Sequence, residues 1–291
     1  MTHRTTTAQP TSLPADLPEP VAAAVDAVTA MLEGHWPLGV AYSGGVDSAT
    51  LLALAVHALG SENVVAILGI SPSLATDERE AAHRTAAVIG ARVVEIETHE
   101  GDNEAYRANG PDRCFHCKDE LFARISDELV AELGLAAVAY GENADDARRP
   151  DRPGAQAATN HRVLRPMAEA GMTKALVRDV ARAFALPVAD KPAAPCLASR
   201  IPHFEEVTPE KLRQVNDAEA GLRRLGFSDS RVRHHGDVAR IELLPEELAT
   251  AIERREEVDA AVRGAGFRFA ALDLRGIQSG AFTLPLVSVN G

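Results

Sequence analysis

No stretch of this 291-residue chain approaches the roughly 18 consecutive apolar residues that a membrane-spanning helix needs. The first twenty residues, MTHRTTTAQPTSLPADLPEP, also lack the apolar run of a secretory signal. Both absences point to a cytoplasmic protein with no membrane partner. Positive charge is in short supply: 30 Lys and Arg against 42 Asp and Glu leave a net charge of −12, which argues against a broad grip on nucleic acid. Only three cysteines occur. That number is odd and too small for a disulfide scaffold, so in a reducing compartment the thiols stand for packing, metal binding or chemistry. There is no internal repeat, and no low-complexity segment outside the first twenty residues.

Residues 1–20 are rich in Thr and Pro with almost no large apolar side chain, and read as a disordered tail. From Val21 the apolar spacing Val21, Val25, Val28, Leu32 predicts a helix ending at Gly34. Leu38 to Tyr42 reads as a buried strand, broken by Ser43-Gly44-Gly45 and followed by a helix from Asp47 to Leu59. The alternation continues with a strand at Val64 to Ile70, a helix at Asp77 to Ile89, a strand at Arg92 to Ile96, a helix at Lys118 to Leu133 and a strand at Ala136 to Tyr140. This grammar predicts an α/β fold with a parallel sheet and helices on both faces. Ligands then bind at the loops after the strands' carboxyl ends. A helix at Lys174 to Ala185 precedes the Pro-punctuated DKPAAPC stretch, where the first domain, 21–190, is expected to end. Residues 191–291 read differently: a helix from Thr208-Pro209 to Leu225, a hairpin of Arg231–His235 and Val238–Leu243 about Gly236-Asp237, a helix from Pro245 and a strand at Phe267–Leu274. That is a smaller C-terminal α+β domain, expected to bind substrate.

Ser43-Gly44-Gly45-Val46-Asp47-Ser48 lies between a buried strand and a helix start, where unpaired backbone N–H groups and the positive helix end converge. A phosphate belongs at such a spot. The glycines admit the backbone close to the anion and the serines offer hydroxyl donors. Asp47, itself negative, suits Mg²⁺ on the phosphates or orientation of the turn. No Gly-Lys-Ser/Thr follows, so this is not a Walker A loop. SGGVDS resembles the PP-loop of the ATP pyrophosphatases. That resemblance implies that the loop holds the pyrophosphate part of ATP while a substrate oxygen attacks the α-phosphate.

Cys114 and Cys117, in CFHC, stand at a helix start beside Arg113 and Lys118, a setting that lowers a thiol pKa. Cys196 lies in a proline-fixed loop with Lys191 and Arg200 near in sequence. Each is open to a structural role. Together they exclude a Cys₄ zinc site, but leave open a Cys₃His site with His116, a redox dithiol, or a cubane iron–sulfur cluster with one open iron.

The chain as a whole resembles the LarE family of ATP-dependent sulfur transferases. The likeness rests on SGGVDS at Ser43–Ser48, DRCFHCK at Asp112–Lys118, GENADD at Gly141–Asp146, RPMAEAGMTKALVR at Arg165–Arg178, DKPAAPCLASRIP at Asp190–Pro202, RVRHHGDVARIE at Arg231–Glu242 and LDLRGIQSG at Leu272–Gly280. It implies ATP and Mg²⁺ as cofactors and a small pyridinium biscarboxylic acid mononucleotide as substrate. One carboxylate is adenylated, then attacked by sulfur, in making the nickel-pincer nucleotide cofactor of lactate racemase. In one branch the cysteine matching Cys196 gives up its own sulfur and becomes dehydroalanine. In the other, Cys114, Cys117 and Cys196 carry a [4Fe-4S] cluster that delivers an extra sulfide, and the presence of all three thiols favours it. The family precedent is a homo-oligomer.

Among other polar groups, Arg231 and Arg233 alternate on a strand, so both project from one face suited to a mononucleotide phosphate. Arg200 is placed to neutralise the substrate carboxylate or the AMP phosphate. Gly141 and Asn143 follow the fourth strand and are assigned to adenine or ribose contacts, with Asp145 and Asp146 open to Mg²⁺ or to helix capping. His234 and His235 precede the hairpin turn and read as turn geometry. The competing readings are a tRNA thiolase, which the net charge opposes, and a non-catalytic nucleotide or iron–sulfur sensor.

Overall fold

A computed structural model of the chain describes residues 13–148, 154–192 and 194–277. Helix α1 (Glu19–Leu32) has Pro20 in its first turn, where a missing N–H leaves nothing unsatisfied, and buries Val21, Val25, Val28 and Leu32 along one stripe. The helix takes in Glu19 and Pro20, so the expected tail stops short of residue 20. Residues 1–12 of that tail lie outside the described part.

Four parallel strands follow, β1 (Leu38–Ala41), β2 (Val64–Ile70), β3 (Arg92–Glu97) and β4 (Ala137–Tyr140), in the order β3-β2-β1-β4. Every residue of β1 is buried, as befits a central strand covered on both faces. Helices α2 (Val46–Leu59), α3 (Thr76–Ile89) and α4 (Arg113–Arg124) stand in the connections. The sheet grows from β1 to β3 on one side and resumes with β4 on the other. The strand order therefore reverses between β1 and β4, and a parallel sheet opens its ligand crevice at such a reversal. Ile67, Ile96, Phe122, Ile125, Ala157 and Ala158 belong to one buried cluster against this sheet.

The expected helix at Lys118–Leu133 differs at both ends. α4 begins at Arg113, which draws Cys114 and Cys117 into the helix, and its regular turns give way to a π-turn at Ile125–Leu129 before Val130–Glu132. Helix α5 (Lys174–Ala183) closes this part of the fold.

The second, smaller sheet runs β5-β6-β7, with β5 (Ser230–His235) and β6 (Val238–Leu243) forming the expected antiparallel hairpin and β7 (Phe269–Leu272) pairing parallel to β6. Helix α6 (Pro209–Arg224) is capped by Thr208, whose hydroxyl accepts from the Lys211 N–H. The helix expected from Pro245 is interrupted at Arg254: a 3₁₀ turn at Pro245–Glu247 and a helix at Leu248–Glu253 precede α7 (Arg255–Gly264), which buries Val258 and Val262.

The described residues form two compact units. The first holds those up to Ser71, Glu78–Glu100, and those from Cys114 to Ala194. The second holds Pro72–Asp77, Gly101–Arg113 and those from Pro195 onward. Two segments inside the expected 21–190 span thus cluster with the later residues. Within the second unit the Leu197 N–H donates to the Ser73 carbonyl at 2.9 Å, and the Ser73 and Tyr106 hydroxyls lie 2.5 Å apart. Asn109 is wholly buried and donates from Nδ2 to the carbonyls of Ile201, Pro202 and Glu205. Its φ of 56° is a left-handed conformation that Asn tolerates better than most residues. Among the described residues no helix is long and apolar enough to cross a membrane.

Candidate functional site

The glycine turn leaves the carboxyl end of β1 and runs into α2, with Gly45 at the N-cap. Gly44 has a φ of 73°, and a Cβ there would stand 2.7 Å from that of Ala82, so glycine is required by conformation and by space. Tyr42, just before the turn, donates its hydroxyl to the Ala82 carbonyl at 2.9 Å. The Ser43 and Ser48 hydroxyls lie 3.1 Å apart. Ser48 accepts the Ser43 N–H at 3.2 Å and donates to the Gly45 carbonyl at 3.2 Å. Val46 and Ser48 are buried in the first turn of a 14-residue helix, whose free N–H groups make an anion seat.

The expected neighbours Gly141 and Asn143 meet this turn. A Cβ on Gly141 would lie 2.7 Å from the Ser48 nitrogen and from the Asp47 carbonyl carbon, so only glycine lets the end of β4 lie against the loop. Asn143 donates from Nδ2 to Asp47 Oδ1 at 3.2 Å and to Asp146 Oδ2 at 2.9 Å. Its Oδ1 accepts the N–H groups of Asp145 and Asp146, capping the short helix Ala144–Ala147. The acidic pair is therefore attached to a capped turn beside the loop.

The second oxygen of Asp47 is held by a residue that the sequence did not single out. Lys174 Nζ stands 2.5 Å from Asp47 Oδ2, and the Lys174 N–H donates to Asp145 Oδ2 at 2.8 Å. Lys174 is the first residue of α5, capped by Thr173. A cation in the first turn opposes the helix dipole, and that misfit is the sequence signal that marks it. The glycine turn itself carries no lysine, and the fold supplies one from the start of α5, 127 positions after Asp47.

Helix α4 lies across the carboxyl ends of the sheet. Leu121 crowds Gly69 of β2, the His99 N–H beyond β3 donates to Glu120 at 3.0 Å, and Lys118 Nζ sits 4.9 Å from the Tyr140 ring centroid at the end of β4. Cys114 and Cys117 are three residues apart at its start, a spacing that puts them on one helix face. Cys114 and Cys196 are exposed and Cys117 is half-buried, and none of the three is in a disulfide. Among the described residues no group of three or more His, Cys, Asp or Glu side chains is gathered to hold a metal ion. Mg²⁺ on a nucleotide needs only one or two carboxylates, and Asp47 is a candidate for one of them.

In the second unit Cys196 caps a 3₁₀ turn at Leu197–Arg200. Arg200 is 6% exposed. It donates to both oxygens of Glu219, to the carbonyls of Pro195 and Cys196, and to the Ser199 hydroxyl. Burial opposes its charge, but Glu219 outweighs this and lifts its pKa above the usual range. Glu219 Oε1 also accepts the Val232 N–H at 2.9 Å. Arg233 fills its fork with Glu242, at 3.1 and 2.9 Å, and donates to the Ser199 carbonyl at 3.1 Å. The sequence assigns both arginines to substrate; in the structure their forks engage buried carboxylates, and both side chains bond the cysteine loop. Arg231 is also buried, and burial, then the charges of Arg200 and Arg233, push its pKa down. Burial and then Lys211 push His234 down, and its Nε2 pairs with Gln214 at 3.0 Å. Burial and then Arg240 lower His235.

Residues 22–139 match the asparagine synthase family model. An uncharacterized protein of Synechocystis sp. is 43% identical over 243 residues, covering 83% of this chain and 90% of that protein. The pyridinium-3,5-bisthiocarboxylic acid mononucleotide synthase of Lactiplantibacillus plantarum is 33% identical over 241 residues, covering 83% and 87% respectively. An uncharacterized protein of Methanocaldococcus jannaschii is 25% identical over 235 residues, covering 81% and 88%.

Proposed function

The chain belongs to the LarE family, that of the pyridinium-3,5-bisthiocarboxylic acid mononucleotide synthase, and on that premise we propose that it is an ATP-dependent sulfur transferase of nickel-pincer nucleotide synthesis. Its substrate is pyridinium-3,5-biscarboxylic acid mononucleotide, and each turnover converts one carboxylate to a thiocarboxylate. The observation that carries the reading is the glycine turn at the sheet's reversal point, where Asp47 is held between Lys174 and Asn143.

The backbone N–H groups of Ser43–Ser48 and the hydroxyls of Ser43 and Ser48 seat the ATP phosphates. Mg²⁺, when bound, neutralises phosphate charge, and Asp47 is the residue to hold it. Lys174, 2.5 Å from Asp47 Oδ2, is the cation assigned to the same phosphates. A substrate carboxylate oxygen attacks the α-phosphorus, the bond to pyrophosphate breaks, and an acyl adenylate results. This step turns a poor leaving group into AMP.

Cys196 is the thiol of the second step. Its exposure, and the clamp that Arg200 places on its loop, support that role. The thiolate attacks the acyl carbon and AMP departs, leaving a thioester. Loss of the Cys196 Cα proton then breaks the Cβ–S bond, so that sulfur leaves as thiocarboxylate and dehydroalanine remains. Arg231 is assigned to the phosphate of the acceptor, with Arg200 and Arg233 as positioning residues. Cys114, Cys117 and Cys196 would be the ligands in the cluster branch of the family, where an added sulfide rather than the Cys196 sulfur would be delivered.

Incubation of the purified protein with ATP and the biscarboxylate nucleotide tests the proposal. It requires pyrophosphate release that depends on the nucleotide, a thiocarboxylate product, and loss of the mass of H₂S from the protein. Release that depends on tRNA instead overturns it, and product formed with the protein mass unchanged overturns Cys196 as donor.

A further inference from the structure

Among the described residues, two neighbouring buried polar atoms at the carboxyl end of β4 lack a well-formed hydrogen bond, although the Glu142 carboxyl acts on the tyrosine's proton. They are the Tyr140 hydroxyl and Glu142 Oε2, on side chains 6% and 4% exposed. An unmade hydrogen bond in such a place costs free energy, and native proteins keep few of them without a reason. The Arg165 guanidinium is the nearest cation to Glu142, at 3.6 Å from Oε2, which is an ion pair but too long for a hydrogen bond. Lys118 lies over the face of the tyrosine ring, and Phe122 meets its edge at 5.5 Å between centroids. Neither contact serves the hydroxyl. Asp146 adds a further negative charge nearby.

We infer that Tyr140 and Glu142 form a ribose-binding pair, engaging a vicinal hydroxyl of a nucleotide; this rests on reading Ser43–Ser48 as the nucleotide seat. Three features select that group. A carboxylate beside Asp146 repels phosphate and calls for a neutral donor. A sugar hydroxyl can donate to Glu142 and accept from Tyr140 at once, as an amino group cannot. The residue between the two, Gly141, touches the backbone of Asp47 and Ser48, so the pair is one residue from the phosphate seat, and ribose is the part of a nucleotide next to its phosphates. Burial, and then Glu142, push the Tyr140 pKa up, so the phenol keeps its proton as a donor.

The ribose belongs either to ATP or to the acceptor mononucleotide, and calorimetric titration separates the two. Wild type, Tyr140→Phe and Glu142→Ala are each titrated with ATP, 2′,3′-dideoxy-ATP, the biscarboxylate mononucleotide and its dideoxyribose analogue. The pair requires wild type to prefer the hydroxylated member of one couple by about tenfold, and each variant to lose most of that preference. Tyr140→Phe removes an atom with no well-formed hydrogen bond, so its thermal midpoint stays near that of wild type. A merely structural role instead lowers the midpoint and weakens both members of a couple equally. Wild-type preference retained in both variants, or absent from both couples, overturns the ribose pair alone. No ATP binding by wild type overturns the nucleotide seat, and this pair with it.

Discussion

Lys174 Nζ and Asp47 Oδ2 stand 2.5 Å apart, although 126 residues separate them in the chain. The pair joins the first turn of α5 to the first turn of α2, and it holds a lysine where its own helix dipole disfavours it. On the proposed reading of Ser43–Ser48 as a phosphate seat, the arrangement keeps a cation and a carboxylate together where phosphate would bind.

Replacing Lys174 by Met keeps the length of the side chain and removes the charge. ATP affinity should fall about tenfold or more, in line with the roughly 1.5–3 kcal/mol of a charge-assisted contact. Calorimetric titration with ATP reads this directly, and unchanged affinity removes Lys174 from the phosphate site.

Gly141→Ala puts a methyl 2.7 Å from the loop backbone. Overpacking of this kind costs about 1–3 kcal/mol. The variant should remain folded by circular dichroism but bind ATP poorly, because the displaced atoms are those of the seat. Normal binding means that the loop tolerates the shift.

Arg200→Ala leaves Glu219 buried without its cation, and broken buried pairs cost about 3–5 kcal/mol. A urea midpoint well below that of wild type is expected, with partial recovery in the Arg200→Ala, Glu219→Gln double variant. Equal midpoints for the two variants contradict the clamp.

Cys196→Ser should abolish thiocarboxylate formation while pyrophosphate release continues, since adenylation precedes the thiol step. Thiocarboxylate formed at the wild-type rate by this variant removes Cys196 from sulfur delivery.

A pH effect arises away from the site. Glu95 is held at a pKa of about 2 by its hydrogen bonds to Arg79 and His83, against an ordinary 4.5. A carboxyl depressed in the folded state adds stability above its unfolded pKa, and that stability is lost as pH falls from 4.5 toward 2. Wild type and Glu95→Gln should therefore differ in urea midpoint at neutral pH and converge across that window. A constant gap contradicts the assignment.

Much of this molecule was legible in its sequence because its signals are local. The β1 apolar run, the Ser43–Ser48 turn and the Gly236-Asp237 hairpin are each specified by adjacent residues, and the strand at Val64–Ile70 appears at its expected bounds. Long-range pairings were not legible. Nothing near Arg200 announces Glu219, and nothing near Arg233 announces that Glu242, on the facing strand, fills its fork. The start of α4 moved because Arg113 is fixed by Asn109 and the Ala198 carbonyl rather than by a capping signal of its own.

The distribution of the chain between the two units has a consequence for how the protein can be made. Cutting the polypeptide at residue 190 would leave the later fragment without Ser73, Tyr106 and Asn109, and hence without the anchors of the loop that carries Cys196. A fragment beginning after residue 190 is therefore expected to lose the order of that loop, whereas the full chain supplies its partners.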